Sequence, residues 1–285
     1  MVKEAGAAAA IFRSPTGLQG YTIAMNVCVL ITAAGSSTRF GFGDKLAQDL
    51  GGRAVLLRSV EAFTKRDEVR SIVVAAPPDS FDEFRERYGG ALGFHGASIV
   101  EGGRLDRWET VKNALAAVPD DCTHVAVHDA ARPGVNDALL DRVFAAAAVH
   151  DAVIPGLAVR DTLKRVGERL VAGGEDDAIA DAILGDAGKP QTSAKVVEAT
   201  VDRRNLVAVQ TPQVFRREVI VEAYAKGNLE GVTDDASVVE RMGVPVVVVE
   251  GDPRNLKITT PEDLELLRTL LGAKGPEGRA THKRF

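Results

Sequence analysis

VLITAAGSSTRFGFGDKL, Val29–Leu46, changes character part-way along. It opens as a continuous apolar run, without the alternation of a half-exposed strand, which suits a strand buried on both faces of a mainly parallel sheet. The run stops at Ala33-Ala34-Gly35. Two serines, a threonine and Arg39 follow, and a glycine-spaced turn then reaches Lys45. Small residues at a strand end let backbone N–H groups approach phosphate oxygens closely, and Arg39 and Lys45 add positive charge there. The spacing is neither G-x-G-x-x-G nor Walker A, so the loop predicts neither a dinucleotide fold nor an ATPase. On spacing alone, such a loop is as readily structural as phosphate-binding.

Runs of the same kind recur. NVCVLITA (26–33), SIVVAAP (71–77), ASIVEGG (97–103), HVAVHDA (124–130), AVIPGLAV (152–159), LVAVQTP (206–212) and VPVVVVEGD (244–252) are short, rich in Val and Ile, and bounded by Gly, Pro or Asp. Helical patterns lie between them at 54–65, 107–118, 137–150 and 261–272. The last has Thr260 as N-cap, Pro261 at the first helical position and acidic residues in the first turn. Alternating strand and helix predicts an α/β fold built on a mostly parallel, doubly wound sheet. Residues 168–199 break the rhythm: they are polar, Gly- and Asp-rich and weakly patterned. A segment of that length is an arm or a solvated loop. Residues 1–24 are read as a flexible extension, with Met25 a candidate effective start of a domain spanning 25–271. Residues 272–285 are read as a disordered tail.

The 285 residues carry a formal net charge of -5, so no overall basic field exists to hold nucleic acid or an anionic membrane. No uncharged apolar run approaches the roughly 20 residues that span a bilayer. Cys28 and Cys122 are the two cysteines, with neither metal spacing nor a disulfide framework, which fits a reducing cytoplasm.

In open α/β sheets ligands collect beyond the carboxyl ends of the strands. Those ends hold Gly35–Arg39 and Lys45; then Gly102-Gly103 with Arg107 and Thr110; then His128, Asp129 and Arg132. Arg160, Asp161 and Thr162 follow, then Thr211 and Gln213, and lastly Asp252, Asn255 and Lys257. Asp129 emerges from a buried strand, where a hard carboxylate suits Mg²⁺ that takes its remaining ligands from phosphate oxygens. Alone, it is as readily a cap. Arg132-Pro133 is equally a turn, and His128, pointing the other way in its strand, is structural. Trp108 reads as packing. No Ser/His/Asp or Cys/His set stands out. Cations with one carboxylate and no nucleophile fit phosphoryl or nucleotidyl transfer.

Taken in order, AAGSSTRFG…K, GG…R…T-V, VHDAARP, VRDTLKR, TVDR, TPQVF, TDDAS and NLKITTPEDL resemble the 2-C-methyl-D-erythritol 4-phosphate cytidylyltransferase family of the non-mevalonate isoprenoid pathway, over residues 26–271. The resemblance implies a Rossmann-like nucleotidyltransferase, usually a homodimer, that joins CTP to methylerythritol phosphate with Mg²⁺ and releases pyrophosphate. It assigns Ala33, Ala34, Gly35 and Ser36 to the triphosphate, with Arg39 and Lys45 neutralising it and Asp129 holding the metal. Gly103, Arg107, Thr110 and Ala130 would contact the nucleoside, and Lys257 the α-phosphate under attack. Thr162, Arg203, Thr211 and Thr233 would hold the methylerythritol phosphate. The segment after VRDTLKR, roughly 160–203, would be an arm embracing a partner subunit, so that Thr162 and Arg203 serve the neighbour's site. The family commonly has Pro-Lys-Gln where this chain has Asp44-Lys45-Leu46, and a serine where Thr110 stands. Two rival readings remain: a cytidylyltransferase for another polyol phosphate such as ribitol 5-phosphate, and a non-catalytic nucleotide-binding scaffold.

Overall fold

The computed structural model describes residues 25–35, 40–41, 43–172 and 193–273. The expected N-terminal extension lies outside these residues, as does the tail from 274. The chain forms two compact units, one of Met1–Leu157 with Val209–Phe285 and one of Ala158–Ala208.

In the larger unit β1 (Val27–Thr32) sits at the centre, between β2 (Val69–Ala76) and β4 (His124–Asp129), parallel to both. Its successive side chains point to opposite faces, and both faces are covered. Val27, Val29 and Ile31 enter one core, while Cys28 and Leu30 enter the other. That double burial is why the run is apolar without alternation. β3 (Ala97–Glu101) extends the sheet beyond β2 in parallel. On the other side the order is β4, β9 (Gln213–Arg216), β5 (Ala152–Ala158) and β10 (Val247–Glu250), with the short β8 (Val207–Val209) off this path. β9 runs antiparallel to β4 and β5. The mostly parallel sheet is thus as predicted, with a reversal at β8 and β9 that no sequence pattern announces.

Helices α1 (Val55–Glu61), α2 (Phe81–Phe94), α4 (Asp137–Ala147) and α7 (Pro261–Leu270) pack on the face of Val29. α3 (Arg107–Leu115), α5 (Arg217–Lys226) and α6 (Asp235–Glu240) cover the face of Leu30. The Thr260 amide donates to the Asp263 carboxylate at 2.8 Å, which closes the first turn of α7 as its sequence predicts.

In the smaller unit β6 (Leu163–Ala172) and β7 (Ser193–Val201) form an antiparallel hairpin with Leu163 opposite Val201. Val166, Val196 and Val197 on it are exposed.

Candidate active site

The register of β1 on β4 sets Thr32 opposite Asp129, so both strands end at one level and open onto the same space. Asp129 is buried there among cations. Its Oδ1 lies 3.3 Å from Arg107 Nε and accepts from Thr32 Oγ1 at 3.5 Å. Its Oδ2 lies 3.2 Å from Arg132 Nε and 3.0 Å from Lys257 Nζ. Burial alone pushes a carboxyl pKa up; here Arg107, Lys257 and Arg132 outweigh it and hold Asp129 well below the usual carboxylate range. The group is therefore an anion at any working pH.

Lys257 comes from a segment remote in sequence, and hydrogen bonds to the backbone of that segment, most of them involving a side chain, bring it in. Gln210 Nε2 donates to Asp252 O at 2.9 Å, and the Asp252 amide donates back to Gln210 Oε1 at 3.0 Å. Asn255 Nδ2 donates to Thr211 O at 2.7 Å, Arg132 Nη1 to Asn255 O at 2.9 Å, and the Ile258 amide to Ala131 O at 2.8 Å. Arg132 thus binds the Asp129 carboxylate and the Lys257 loop at once. From sequence, Arg132 is as readily a turn residue as a site residue; its spacing of three from Asp129, across a turn, is the signal for the latter.

On the opposite wall the chain has no room for side chains at Gly102-Gly103. A Cβ on Gly102 would come within 2.6 Å of Ala34 Cβ, and one on Gly103 within 2.7 Å of the Thr110 amide nitrogen. The Gly103 amide donates to Thr110 Oγ1 at 3.0 Å, so the hydroxyl on α3 fixes this loop. Lys45 opens a short 3-10 turn, Lys45–Ala47. Its acidic neighbour Asp44 accepts from the Leu46 amide at 2.9 Å and from Tyr88 Oη at 3.1 Å, with Arg87 Nη1 at 3.6 Å. The Asp44 carboxylate is engaged by α2 and by its own turn.

Thr32–Gly35, Lys45, Gly103, Arg107, Thr110, Asp129 and Lys257 line one cleft of about 630 Å³. A cleft with cations on several walls, the buried Asp129 carboxylate at its base, Asp79 and Asp106 also on its lining, and two stretches of closely packed backbone suits a polyphosphate ligand.

The sequence matches the family model for 2-C-methyl-D-erythritol 4-phosphate cytidylyltransferase over residues 27–191 and 175–273. The chain belongs to this family. Among relatives of that name, the protein of Symbiobacterium thermophilum is 41% identical over 248 residues, covering 86% of this chain and 92% of its own. That of Caldanaerobacter subterraneus is 37% identical over 251 residues, covering 87% and 99%. The crystal structure of 4-diphosphocytidyl-2C-methyl-D-erythritol synthase from Anaerococcus prevotii superposes with a TM-score of 0.66 at 26% identity, over 88% of this chain and all (100%) of that one. The cytidylyltransferase of Thermus thermophilus does so with a TM-score of 0.61 at 30% identity, over 86% and 98%. The resemblance drawn from eight short motifs is thereby upheld, and the protein is a nucleotidyltransferase enzyme.

As for the cytidylyltransferase residues expected from the motifs, Ala33, Ala34, Gly35, Lys45, Gly103, Arg107, Thr110, Asp129 and Lys257 share the cleft. Ala130 is buried next to Asp129, its carbonyl accepting from Ser59 Oγ at 2.7 Å. Ser36 and Arg39 lie outside the described residues. Thr233 is exposed just ahead of α6. Thr211 is buried, its hydroxyl 3.0 Å from the Asp129 amide and 3.1 Å from His128 Nδ1. Thr162 and Arg203 are exposed in the smaller unit, where Arg203 Nη1 donates to the Arg160 carbonyl. Trp108 packs against the core, as its sequence context predicted. One residue the motifs did not single out is Asp235, whose Oδ2 lies 2.8 Å from Arg107 Nη1.

Proposed function

We propose that the protein transfers CMP from CTP to 2-C-methyl-D-erythritol 4-phosphate, forming the CDP-alcohol and pyrophosphate. The observation that carries this reading is the meeting of Lys45, Arg107, Asp129 and Lys257, from four separate segments, in one cleft. A phosphate oxygen of the acceptor attacks the α-phosphorus of CTP in line; a new P–O bond forms as the bond to pyrophosphate breaks. The attacking phosphate is already ionised near pH 7, so no general base is needed. The obstacle is the approach of two anions, whose repulsion in a partly dehydrated cleft is several kcal/mol. Lys45 and Lys257 offset it, and Arg39 steadies the departing pyrophosphate.

Asp129 suits a Mg²⁺ ion that arrives with the triphosphate. It is a hard, permanently ionised donor, and the described residues contain no group of three or more metal-ligating side chains. Such an ion takes most of its ligands from phosphate oxygens and water, and when bound it neutralises phosphate charge. Arg132 and Lys257 hold the same carboxylate in place.

The reading includes a homodimer in which the β6–β7 hairpin embraces the partner, supported by the exposed Val166, Val196 and Val197. It includes a cytoplasmic setting, supported by two free, buried cysteines. Among the described residues no helix is long and apolar enough to cross a membrane.

Pyrophosphate release with CTP and a panel of polyol phosphates tests the reaction. Methylerythritol phosphate is expected to give the fastest turnover, with Lys257→Ala lowering kcat by ~10²-fold or more in a folded protein. Release with ribitol phosphate alone would reassign the acceptor, and none with any polyol would favour a binding scaffold.

A further inference from the structure

Arg107 is gripped from two sides. It starts α3 with its side chain 28% exposed, sending Nε to Asp129 and Nη1 to Asp235. Asp129 lines the cleft, whereas Asp235 stands behind it and is fully buried. The closer contact, 2.8 Å against 3.3 Å, is the one to Asp235. Among the described residues Arg107 is the charged partner of that carboxylate, and Tyr224 Oη on α5 donates to its Oδ1 at 2.6 Å.

Nor can Asp235 swing. The preceding residue, Asp234, caps α6 by accepting from the Ser237 amide at 3.1 Å and takes Gln213 Nε2 at 2.8 Å. Gln213 Oε1 accepts from the Ala236 amide at 2.9 Å. Both flanks of Asp235 are thus tied to strand β9. A carboxylate buried this deeply is costly unless fully paired, and removing one partner of such a pair exposes that cost. Its fixed position makes it a template for whatever it holds.

We propose that Asp235, backed by Tyr224, is the positioning residue for Arg107, setting the guanidinium plane in the nucleotide subsite by holding Nη1 while Nε pairs with Asp129. The inference rests on the nucleotide reading above. Arg107, Arg132 and Lys257 set three positive charges against the carboxylates of Asp129 and Asp235. Without Asp235, Nη1 loses its partner at 2.8 Å, and the Nε contact to Asp129 at 3.3 Å is left to orient the Arg107 head.

Calorimetric CTP titrations of the full chain with Mg²⁺ test this through a double-mutant cycle. Asp235→Asn and Arg107→Lys are each expected to weaken CTP binding roughly tenfold, and the double variant no more than the worse single one, because both act on one contact. Tyr224→Phe is expected to weaken it about threefold, the cost of one hydrogen bond to a charged group being partly regained from the remaining ion pair. Additive losses, or wild-type affinity in Asp235→Asn, overturn the proposal. Should Asp235→Asn fail to fold, wild-type affinity in Tyr224→Phe does the same. A second readout stands apart from CTP: the Arg107 Nη1–H resonance in ¹⁵N NMR, from the nitrogen that faces Asp235, is expected to be resolved and slow to exchange in the wild type, and averaged away in Tyr224→Phe or Asp235→Asn. Its persistence in both refutes the positioning role. A wild type that shows the resonance yet binds no CTP refutes the nucleotide reading instead.

Discussion

A chain of hydrogen bonds behind Asp129 fixes the state of His128. The Arg132 carbonyl can only accept, so His128 Nε2, 3.2 Å away, carries the proton. Nδ1 then accepts from Thr211 Oγ1 at 3.1 Å, and that hydroxyl oxygen accepts from the Asp129 amide at 3.0 Å. The ring is neutral, fully buried and edge-on to Phe63 at 5.1 Å. Burial, with Arg132 adding to it and Asp129 opposing, pushes its pKa down from 6.5 to about 4. A histidine depressed on folding stabilises the native state above its unfolded pKa, and this stability fades as pH falls through the interval down to the folded value. The contribution is about 3 kcal/mol, lost between roughly pH 6.5 and 4. The urea midpoint of the wild type is expected to drop more steeply across this interval than that of His128→Gln, with equal slopes removing the argument. Asp129 and His128 were separable from sequence by strand alternation alone, since adjacent residues face opposite ways. Asp235 was not: nothing in TDDAS distinguishes an acid that caps a helix from one that holds an arginine twenty-eight positions in sequence beyond a hundred residues away.

At the level of elements, the Lys257 loop is held mainly through its backbone, and Gln210 is its clamp. Its side chain both donates to and accepts from Asp252, while Gly251 admits no Cβ without coming within 2.7 Å of Gln210 Oε1. Gln210→Ala leaves the buried Asp252 amide unpaired, while the Asp252 carbonyl keeps the Asn255 amide at 2.9 Å, at a cost of about 1–3 kcal/mol. The expected result is a lower thermal midpoint with a larger fall in kcat than in CTP affinity, because the proposed reaction puts Lys257 at the reacting phosphorus. An unchanged kcat would mean that the loop keeps its place without the clamp. The elements that escaped sequence reading did so for physical reasons. β9 has four residues and follows Pro212, too short for a pattern to emerge. α6 has six. α2 is interrupted by Gly89 and Gly90, yet Phe84, Tyr88 and Leu92 are its buried residues, spaced by four, and that interval was a usable helical signal. Long, doubly buried strands such as β1 were plain because burial on both faces forbids polar residues along the whole run.

For the whole molecule, the question is which subunit completes which site. The proposed reading gives Lys257 to one subunit's cleft and Arg203, from the hairpin unit, to the neighbour's. A twofold dimer makes this separable, since each contact is reciprocal. Lys257→Ala and Arg203→Ala homodimers should both be impaired, each having two defective sites. Subunit exchange between them produces heterodimers in which one site carries both defects and the other neither. With random pairing about half the dimers are mixed, so roughly a quarter of wild-type turnover should return. If each site draws both residues from its own chain, every site in the mixture keeps one defect, and no activity returns. Mixing in increasing ratios, with dimer exchange followed by native mass spectrometry, therefore decides between a shared and a self-contained site, and absence of recovery despite exchange rules out the shared one.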